Sequence, residues 1–195
     1  MDQWIVSARF WIFAYIGLIL SHSVKAQDQP AIDSRPQIYF PANSYSLGTD
    51  ISYVRGFGKV ADIGSISFAG NYFLFPNFSI GGELVGLGVS QPGDEALGVN
   101  ISGSIRHHFF RWETGTLFID GLFGPVEMSQ PVPEGGTRFN FISRIGPGVM
   151  LNLKDHLFLT TGVRYWHLSN AQIEGVARNP AINGMQVYVG IVRSW

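Results

Sequence analysis

The chain has 195 residues, of which 14% are charged, against about 25% in ordinary soluble domains, and its net charge at pH 7 is −1. It contains no cysteine, which excludes a disulfide framework, a thiolate metal site and a lipid anchor on a cysteine. The near balance of charge, without a block of basic residues, predicts that nucleic acid is not a partner.

The N-terminal segment has the pattern of a secretory signal peptide. Arg9 precedes an apolar run at residues 10–20, and small side chains lead to a cleavage position after Ala26. The apolar run is shorter than the ~20 residues that a membrane-spanning helix needs. We therefore predict an exported protein in which residues 1–26 are removed and residues 27–43 form a polar, proline-containing lead-in.

Residues 44–195 alternate apolar with small or polar side chains, the period-two pattern of half-buried β-strands. The clearest stretch is LGVNISGSIRHHF, residues 97–109. Clusters of glycine, proline, asparagine and aspartate divide the chain into eight predicted strands, at 44–56, 62–74, 77–90, 95–110, 115–127, 136–152, 156–169 and 184–195. Longer loops are predicted at 90–96, 127–136 and 170–183. This layout predicts an all-β fold, an eight-stranded antiparallel transmembrane β-barrel.

One face of most predicted strands is small or polar and carries charged residues in mid-strand. Such charges are costly to bury unless they are paired, and the filled interior of an eight-stranded barrel can pair them. The residues predicted to meet there are Asp50, Glu83, Arg106, Asp120, Arg144 and Arg164. In a soluble β-sandwich the same residues would face water, and alternation alone does not decide which face is wet.

The last predicted strand, YVGIVRSW, favours the barrel. Tyr188, Gly190 and Trp195 have the spacing of the terminal strand signal that the bacterial outer-membrane assembly machinery reads, although Arg193 stands at a position that is usually apolar. The sequence therefore predicts location in the bacterial outer membrane and the assembly machinery as a partner. The sequence does not decide whether the protein forms a homodimer.

A histidine and a serine follow each other at alternate positions of the seventh strand. If Arg164 points into the lumen, His167 and Ser169 point outward, with Cα atoms ~6–7 Å apart. A serine becomes a nucleophile when a neighbouring base accepts its proton, and Asn170 could donate to the resulting oxyanion. Alternatively, His167 and Ser169 are two polar residues at the rim of the membrane, because this short motif is a weak signal.

The stretch RYWHLSNAQIEGVARNPAING, residues 164–184, resembles the active-site segment of the lipid A 3-O-deacylase family of outer-membrane barrels. TRFNF at 137–141 and RIGPG at 144–148 resemble the acyloxyacyl-hydrolase-like branch of these proteins. The resemblance implies a carboxylic ester hydrolase that removes the acyl chain at the 3-position of lipid A. It implies that the nucleophile is Ser169, the base His167 and the oxyanion donor Asn170. Apart from the resemblance, Asn179 and Gly175 in the following loop are further candidates to bind the oxyanion or the substrate.

The chain departs from the family pattern at the acid that orients the histidine. Asn183 stands at the position of that acid, and an amide can orient an imidazole ring but supplies no negative charge. We therefore expect a reduced rate. Glu174, in the loop before the last strand, is the alternative acid, although a loop carboxylate is more often a solvated surface group.

The first functional hypothesis is thus a serine esterase acting on lipid A, or lipopolysaccharide, in the outer leaflet, with neither a cofactor nor a metal. The second is a non-catalytic outer-membrane barrel with a structural or adhesion role. The third is a soluble exported β-protein.

Overall fold

The computed structural model describes residues 38–59 and 61–195. The predicted signal peptide, 1–26, and most of the predicted lead-in, 27–43, lie outside the described residues. In the part of the chain that is described, no helix is both long enough and apolar enough to cross a lipid bilayer.

The described residues form eight strands that close into a single antiparallel barrel, in which each strand pairs with the next and the last pairs with the first. The predicted fold is confirmed. The strands are β1 (Tyr45–Gly56), β2 (Asp62–Phe75), β3 (Phe78–Ser90), β4 (Ala96–Trp112), β5 (Gly115–Val132), β6 (Thr137–Lys154), β7 (Leu157–Ser169) and β8 (Ile182–Ser194).

Several strand boundaries differ from the predicted ones by one or more residues, and two of these differences, in β5 and β8, have a common reason. β5 continues to Val132, beyond the predicted end at 127, because Met128 and Val132 still point inward and are buried. β8 begins at Ile182 instead of 184, because Ile182 packs inside the same apolar cluster. Burial of these apolar side chains extends the strands into segments whose composition suggested loops.

The outward faces of the strands are apolar and exposed. Leu97 is 73% exposed and Ile101 64%, and most of the large exposed apolar side chains lie on strands. A continuous apolar surface of this kind would promote aggregation in water, whereas it matches the lipid-facing band of a transmembrane barrel.

The lumen is filled by a polar layer between two apolar clusters. Asp120 accepts hydrogen bonds from Arg106 and Arg164, and Arg144 forms an ion pair with Glu83. A cavity of about 30 Å³ lies within this polar layer, which is room for very few water molecules. The barrel interior is therefore a packed core and not an open channel.

The two ends of the barrel differ. Two-residue turns join β2 to β3, β4 to β5 and β6 to β7, and Phe40 packs into the lumen at that end against Phe73 and Phe158. The loops at the other end are longer, and the segment 170–181 between β7 and β8 is the longest. In outer-membrane barrels the short turns face the periplasm and the longer loops face outward.

Candidate active site

The candidate site lies at the outer end of β7, on the face that points away from the lumen. Trp166, Leu168 and Asn170 alternate inward and are buried, and Leu168 is 0% exposed. Because side chains alternate along a strand, this inward anchoring turns His167 and Ser169 outward, where both are half-buried. The predicted orientation of the pair follows from the packing of its neighbours.

His167 joins Ser169 to Asn183 through its two ring nitrogens. Its Nε2 lies 3.1 Å from Ser169 Oγ, and its Nδ1 lies 2.7 Å from Asn183 Oδ1. Asn183 reaches the ring because it pairs with His167 across the β7–β8 ladder. An amide oxygen only accepts hydrogen bonds, so the Nδ1 carries the proton and the Nε2 is free to accept the serine proton.

A tyrosine shares this hydrogen-bond system. The Tyr165 hydroxyl donates to Asn183 Oδ1, the same atom that faces the histidine. The sequence reasoning did not single out Tyr165. The sequence does contain a pattern that points to Tyr165, because a residue two positions before His167 on a strand lies on the same face.

Asn170 is fully engaged in holding the loop that follows β7. Its Nδ2 donates to Thr137 Oγ1 and to the carbonyl oxygen of Arg178, and its backbone N–H donates to Asn179 Oδ1 at 2.8 Å. The side chain points inward and is 2% exposed. In this arrangement the backbone N–H and the side-chain NH₂ group of Asn170 both donate to other residues of the protein. Asn170 therefore supports Asn179 through a hydrogen bond.

Asn179 is held with its amide oxygen toward the backbone of Asn170. Among the hydrogen bonds of the described residues, none uses the Asn179 Nδ2 as donor. The NH₂ group is therefore available to a ligand, on a residue that lies next to the end of β7 through its bond to Asn170.

Glu174 does not reach the histidine hydrogen-bond system. Its carboxylate pairs with Arg178 four residues later, and both side chains are about half exposed. Arg178 also donates to the carbonyl oxygen of Gly136 on the neighbouring loop. The structure thus brings Asn183 to His167 Nδ1 and places Glu174 in a surface ion pair.

An aromatic surface borders the serine on the side of β5 and β6. Phe141 pairs with Ser169 across the β6–β7 ladder, its ring stacks on Phe123 with centroids 5.6 Å apart, and Phe139 meets it edge-on. All three point outward, so an apolar chain lying along the barrel would meet them beside Ser169. The sequence reasoning missed this surface, although the three residues alternate outward like their neighbours.

Within residues 38–59 and 61–195, no three histidine, aspartate or glutamate side chains gather into a group that could hold a metal ion. His107 and His108 lie apart from the site, on β4. His108 is buried among Phe40, Phe73 and Phe118 in the lumen.

The family described as "Lipid A 3-O-deacylase (PagL)" matches residues 64–192, which is more than half of the chain and includes the whole candidate site. The chain belongs to this family. The match covers strands β3 to β7 and most of β8, so it extends well beyond the segment that suggested the resemblance. The predicted family is confirmed.

Solved structures of outer-membrane proteins share the fold. The crystal structure of the outer membrane enzyme PagL matches with a TM-score of 0.56 and 19% sequence identity, covering 72% of this chain and 97% of that chain. Neisserial surface protein A matches with a TM-score of 0.57 and 10% identity, over 82% of this chain and 99% of that one. The N-terminal β-barrel domain of Pseudomonas aeruginosa OprF has a TM-score of 0.51 and 13% identity, over 80% and 100% of the two chains.

No curated protein matches the chain in sequence. Membership in this family and the apolar outer surface of the barrel both indicate the outer membrane. The protein is an outer-membrane β-barrel of the lipid A deacylase family.

Proposed function

We propose that this protein is a serine esterase that removes the ester-linked acyl chain at the 3-position of lipid A. The observation that carries the proposal is the hydrogen-bonded series Ser169–His167–Asn183 on the outward face of the barrel. A serine whose hydroxyl meets the free nitrogen of an oriented imidazole is the arrangement that acyl transfer requires. Membership in the lipid A 3-O-deacylase family supports the choice of substrate.

The proposed reaction uses these side chains in two steps, acylation of Ser169 and hydrolysis of the acyl-serine. Ser169 Oγ attacks the ester carbonyl carbon while His167 Nε2 takes its proton. The tetrahedral intermediate collapses, the bond to the sugar oxygen breaks, and that oxygen receives the proton from Nε2. Water then attacks the acyl-serine, again giving its proton to His167, and the fatty acid leaves as Ser169 Oγ is protonated.

Asn179 supports the oxyanion in this proposal. Its amide oxygen accepts from the Asn170 backbone N–H, which fixes the amide and leaves the Nδ2 to donate to the developing negative charge. Asn170 contributes by holding Asn179 and the loop. Both residues predicted around the oxyanion therefore keep a role, with the donor itself assigned to Asn179.

The location of the site suits a substrate that stays in the membrane. Ser169 lies at the long-loop end of the barrel and on its outer surface, where the outer leaflet of an outer membrane is expected. An acyl chain of lipid A could lie against Phe141 and Phe123 while its ester reaches Ser169. The substrate would then approach sideways, without leaving the bilayer.

The presence of an asparagine at position 183, where the family has an acid, favours a second function. A neutral residue at this position gives no charge to stabilise the imidazolium that forms during attack. A barrel that has lost catalysis and keeps a structural or adhesion role would retain the same fold. The two functions differ in whether Ser169 is needed for any measurable hydrolysis.

Hydrolysis by the purified protein tests the proposal. The protein in detergent micelles is incubated with lipid A, and the released fatty acid is measured for the wild type, Ser169→Ala and His167→Asn. We expect release by the wild type and none above background in either variant. Ser143→Ala is the matched control, since Ser143 pairs with His167 across the β6–β7 ladder and also points outward. Release that persists in Ser169→Ala would overturn the proposal.

A further inference from the structure

Tyr165 is placed to compensate for the missing carboxylate, an inference that rests on the proposed function. The residue lies on β7, two positions before His167, and its hydroxyl donates to Asn183 Oδ1. The same oxygen faces His167 Nδ1 at 2.7 Å. Two donors from one strand thus meet a single acceptor on the next strand.

The orientation of the Asn183 amide decides whether His167 can act as a base. With the oxygen toward the ring, the Nδ1 carries the proton and the Nε2 accepts from Ser169. With the NH₂ group toward the ring, the Nδ1 would have to accept, the proton would move to the Nε2, and that nitrogen could no longer take the serine proton. A carboxylate has two accepting oxygens and does not present this choice.

The Tyr165 hydroxyl favours the productive orientation. A phenol is a stronger donor than an acceptor, because its oxygen lone pairs are partly delocalised into the ring. In the observed arrangement the hydroxyl donates to the amide oxygen. In the flipped arrangement it would have to accept from the NH₂ group, and its own proton would lose this acceptor at the edge of the lipid phase.

The tyrosine ring has apolar neighbours on the outward face of the barrel. Tyr165 is partly exposed on the outward face, pairs with Met185 on β8, and its ring lies 6.4 Å from that of Phe57, centroid to centroid. A tyrosine at the interface keeps its ring in an apolar environment and its hydroxyl among polar groups. The hydroxyl meets Asn183 at the polar edge of this surface.

We propose that Tyr165 is a positioning residue that holds the Asn183 amide with its oxygen toward His167, so that the pair Tyr165–Asn183 sets the histidine tautomer that a carboxylate would otherwise set. Tyr165 acts through Asn183 and does not contact the reacting atoms. Tyr165 is therefore expected to affect catalysis only when residue 183 carries an amide side chain.

A double-mutant cycle tests this dependence. The wild type, Tyr165→Phe, Asn183→Asp and the double variant are compared for kcat and KM of fatty-acid release from lipid A. Tyr165→Phe is expected to lower kcat about fivefold to tenfold, the equivalent of one net hydrogen bond, with KM unchanged. In the Asn183→Asp background the same change should cost less than about twofold, because a carboxylate cannot flip into a donor. An equal loss in both backgrounds would show a merely structural role and overturn the proposal.

Tyr53→Phe is the matched control. Tyr53 is another outward tyrosine at the same end of the barrel, and its hydroxyl donates to Asp62 at 2.7 Å, away from His167. Its removal deletes a tyrosine hydrogen bond at the same rim, in this case to a carboxylate, and should leave kcat unchanged. A loss equal to that of Tyr165→Phe would contradict a specific effect through Asn183.

The histidine tautomer provides a readout that does not need activity. In protein labelled with ¹⁵N-histidine in micelles, at a pH where the imidazole is neutral, the His167 signals are assigned by their loss in His167→Gln. The wild type should show the proton on the Nδ1, and Tyr165→Phe should shift the signals toward the Nε2–H form. An unchanged tautomer would overturn the proposal. If Ser169→Ala retained hydrolysis, the proposed function would fail while this measurement would still decide the role of Tyr165.

Discussion

At the scale of single residues, the site depends on an amide in place of an acid. Asn183 holds His167 by one hydrogen bond and supplies no charge to the imidazolium that forms when Ser169 loses its proton. The short distance of 2.7 Å shows that the side chain already has the reach that orientation requires. What the site lacks is therefore charge, and a single substitution can restore it.

Asn183→Asp should raise kcat by at least about tenfold, because it adds the missing charge with almost no change of shape. The measurement is fatty-acid release from lipid A in micelles. Glu174→Gln serves as the control. Glu174 pairs with Arg178 at the surface and exposed pairs stabilise little, so this variant should stay within about twofold of the wild type. A loss in Glu174→Gln with no gain in Asn183→Asp would assign the acid to Glu174.

Asn179→Asp tests the proposed oxyanion donor. The aspartate keeps an oxygen that can accept from the Asn170 backbone N–H, and it removes the NH₂ group. We expect kcat to fall about 10²-fold to 10³-fold, the usual loss on removing one oxyanion donor. The complementary variant Asn179→Gln, which keeps both amide functions, should recover part of the activity. Full activity in Asn179→Asp would remove Asn179 from the oxyanion site.

At the scale of elements, the loop 170–181 is held onto the barrel by Asn170. This side chain donates to Thr137 on β6 and to the Arg178 carbonyl, and its own oxygen accepts from the Gln172 N–H. One buried amide thus connects the end of β7, the loop and the adjacent strand. The position of Asn179 follows from these contacts.

Asn170→Ala should loosen this loop without preventing barrel assembly. Buried partners would lose their hydrogen bonds, so we expect faster tryptic cleavage after Arg178, together with a lower kcat. Heat-modifiable mobility on gels reports the barrel and should be unchanged. Gln172→Ala, at an exposed position of the same loop, is the control and should be cleaved at the wild-type rate. A loop as resistant in Asn170→Ala as in the wild type would contradict this role.

Most of the fold could be predicted from the sequence because period-two alternation is a local property. The same alternation that turned Ser169 outward also turns Asn170 inward, so the inward position of Asn170 was open to prediction and was missed. The hydrogen bond between Tyr165 and Asn183 could not be predicted from alternation alone. It depends on the register of β7 against β8 across a long loop, and that register is set by the burial of Leu168 and Ile182 in the lumen.

At the scale of the whole molecule, the barrel has a packed lumen, in which a layer of paired charges lies between two apolar clusters, and an apolar outer surface. Asp120 forms ion pairs with both Arg106 and Arg164. The three residues lie on different strands, so these ion pairs connect β4, β5 and β7 across the lumen. β7, the strand that carries His167 and Ser169, is thereby connected to the lumenal ion pairs through Arg164. Of the six charged residues predicted for the lumen, Glu83, Arg106, Asp120, Arg144 and Arg164 form ion pairs there, whereas Asp50 lines the polar layer without an ion pair among the described residues.

Asp120→Asn should destabilise the barrel strongly. Removing one partner leaves two arginines without their counter-charge, and breaking a buried pair costs about 3–5 kcal/mol. The measurement is the denaturant midpoint of unfolding in micelles. Glu127→Gln breaks the exposed pair with Arg138 and should shift the midpoint very little. Equal midpoints for Asp120→Asn and Glu127→Gln would show that the lumenal network does not stabilise the fold.

The central claim is that Ser169 of this outer-membrane barrel deacylates lipid A, and the most direct test is mass spectrometry of lipid A from cells that produce the protein. Wild type and Ser143→Ala should both yield lipid A that lacks one acyl group, whereas Ser169→Ala should yield lipid A that keeps it. Heat-modifiable mobility should confirm equal amounts of folded barrel in the three strains. Identical lipid A from wild type and Ser169→Ala, with the barrel folded in the outer membrane, would contradict the account.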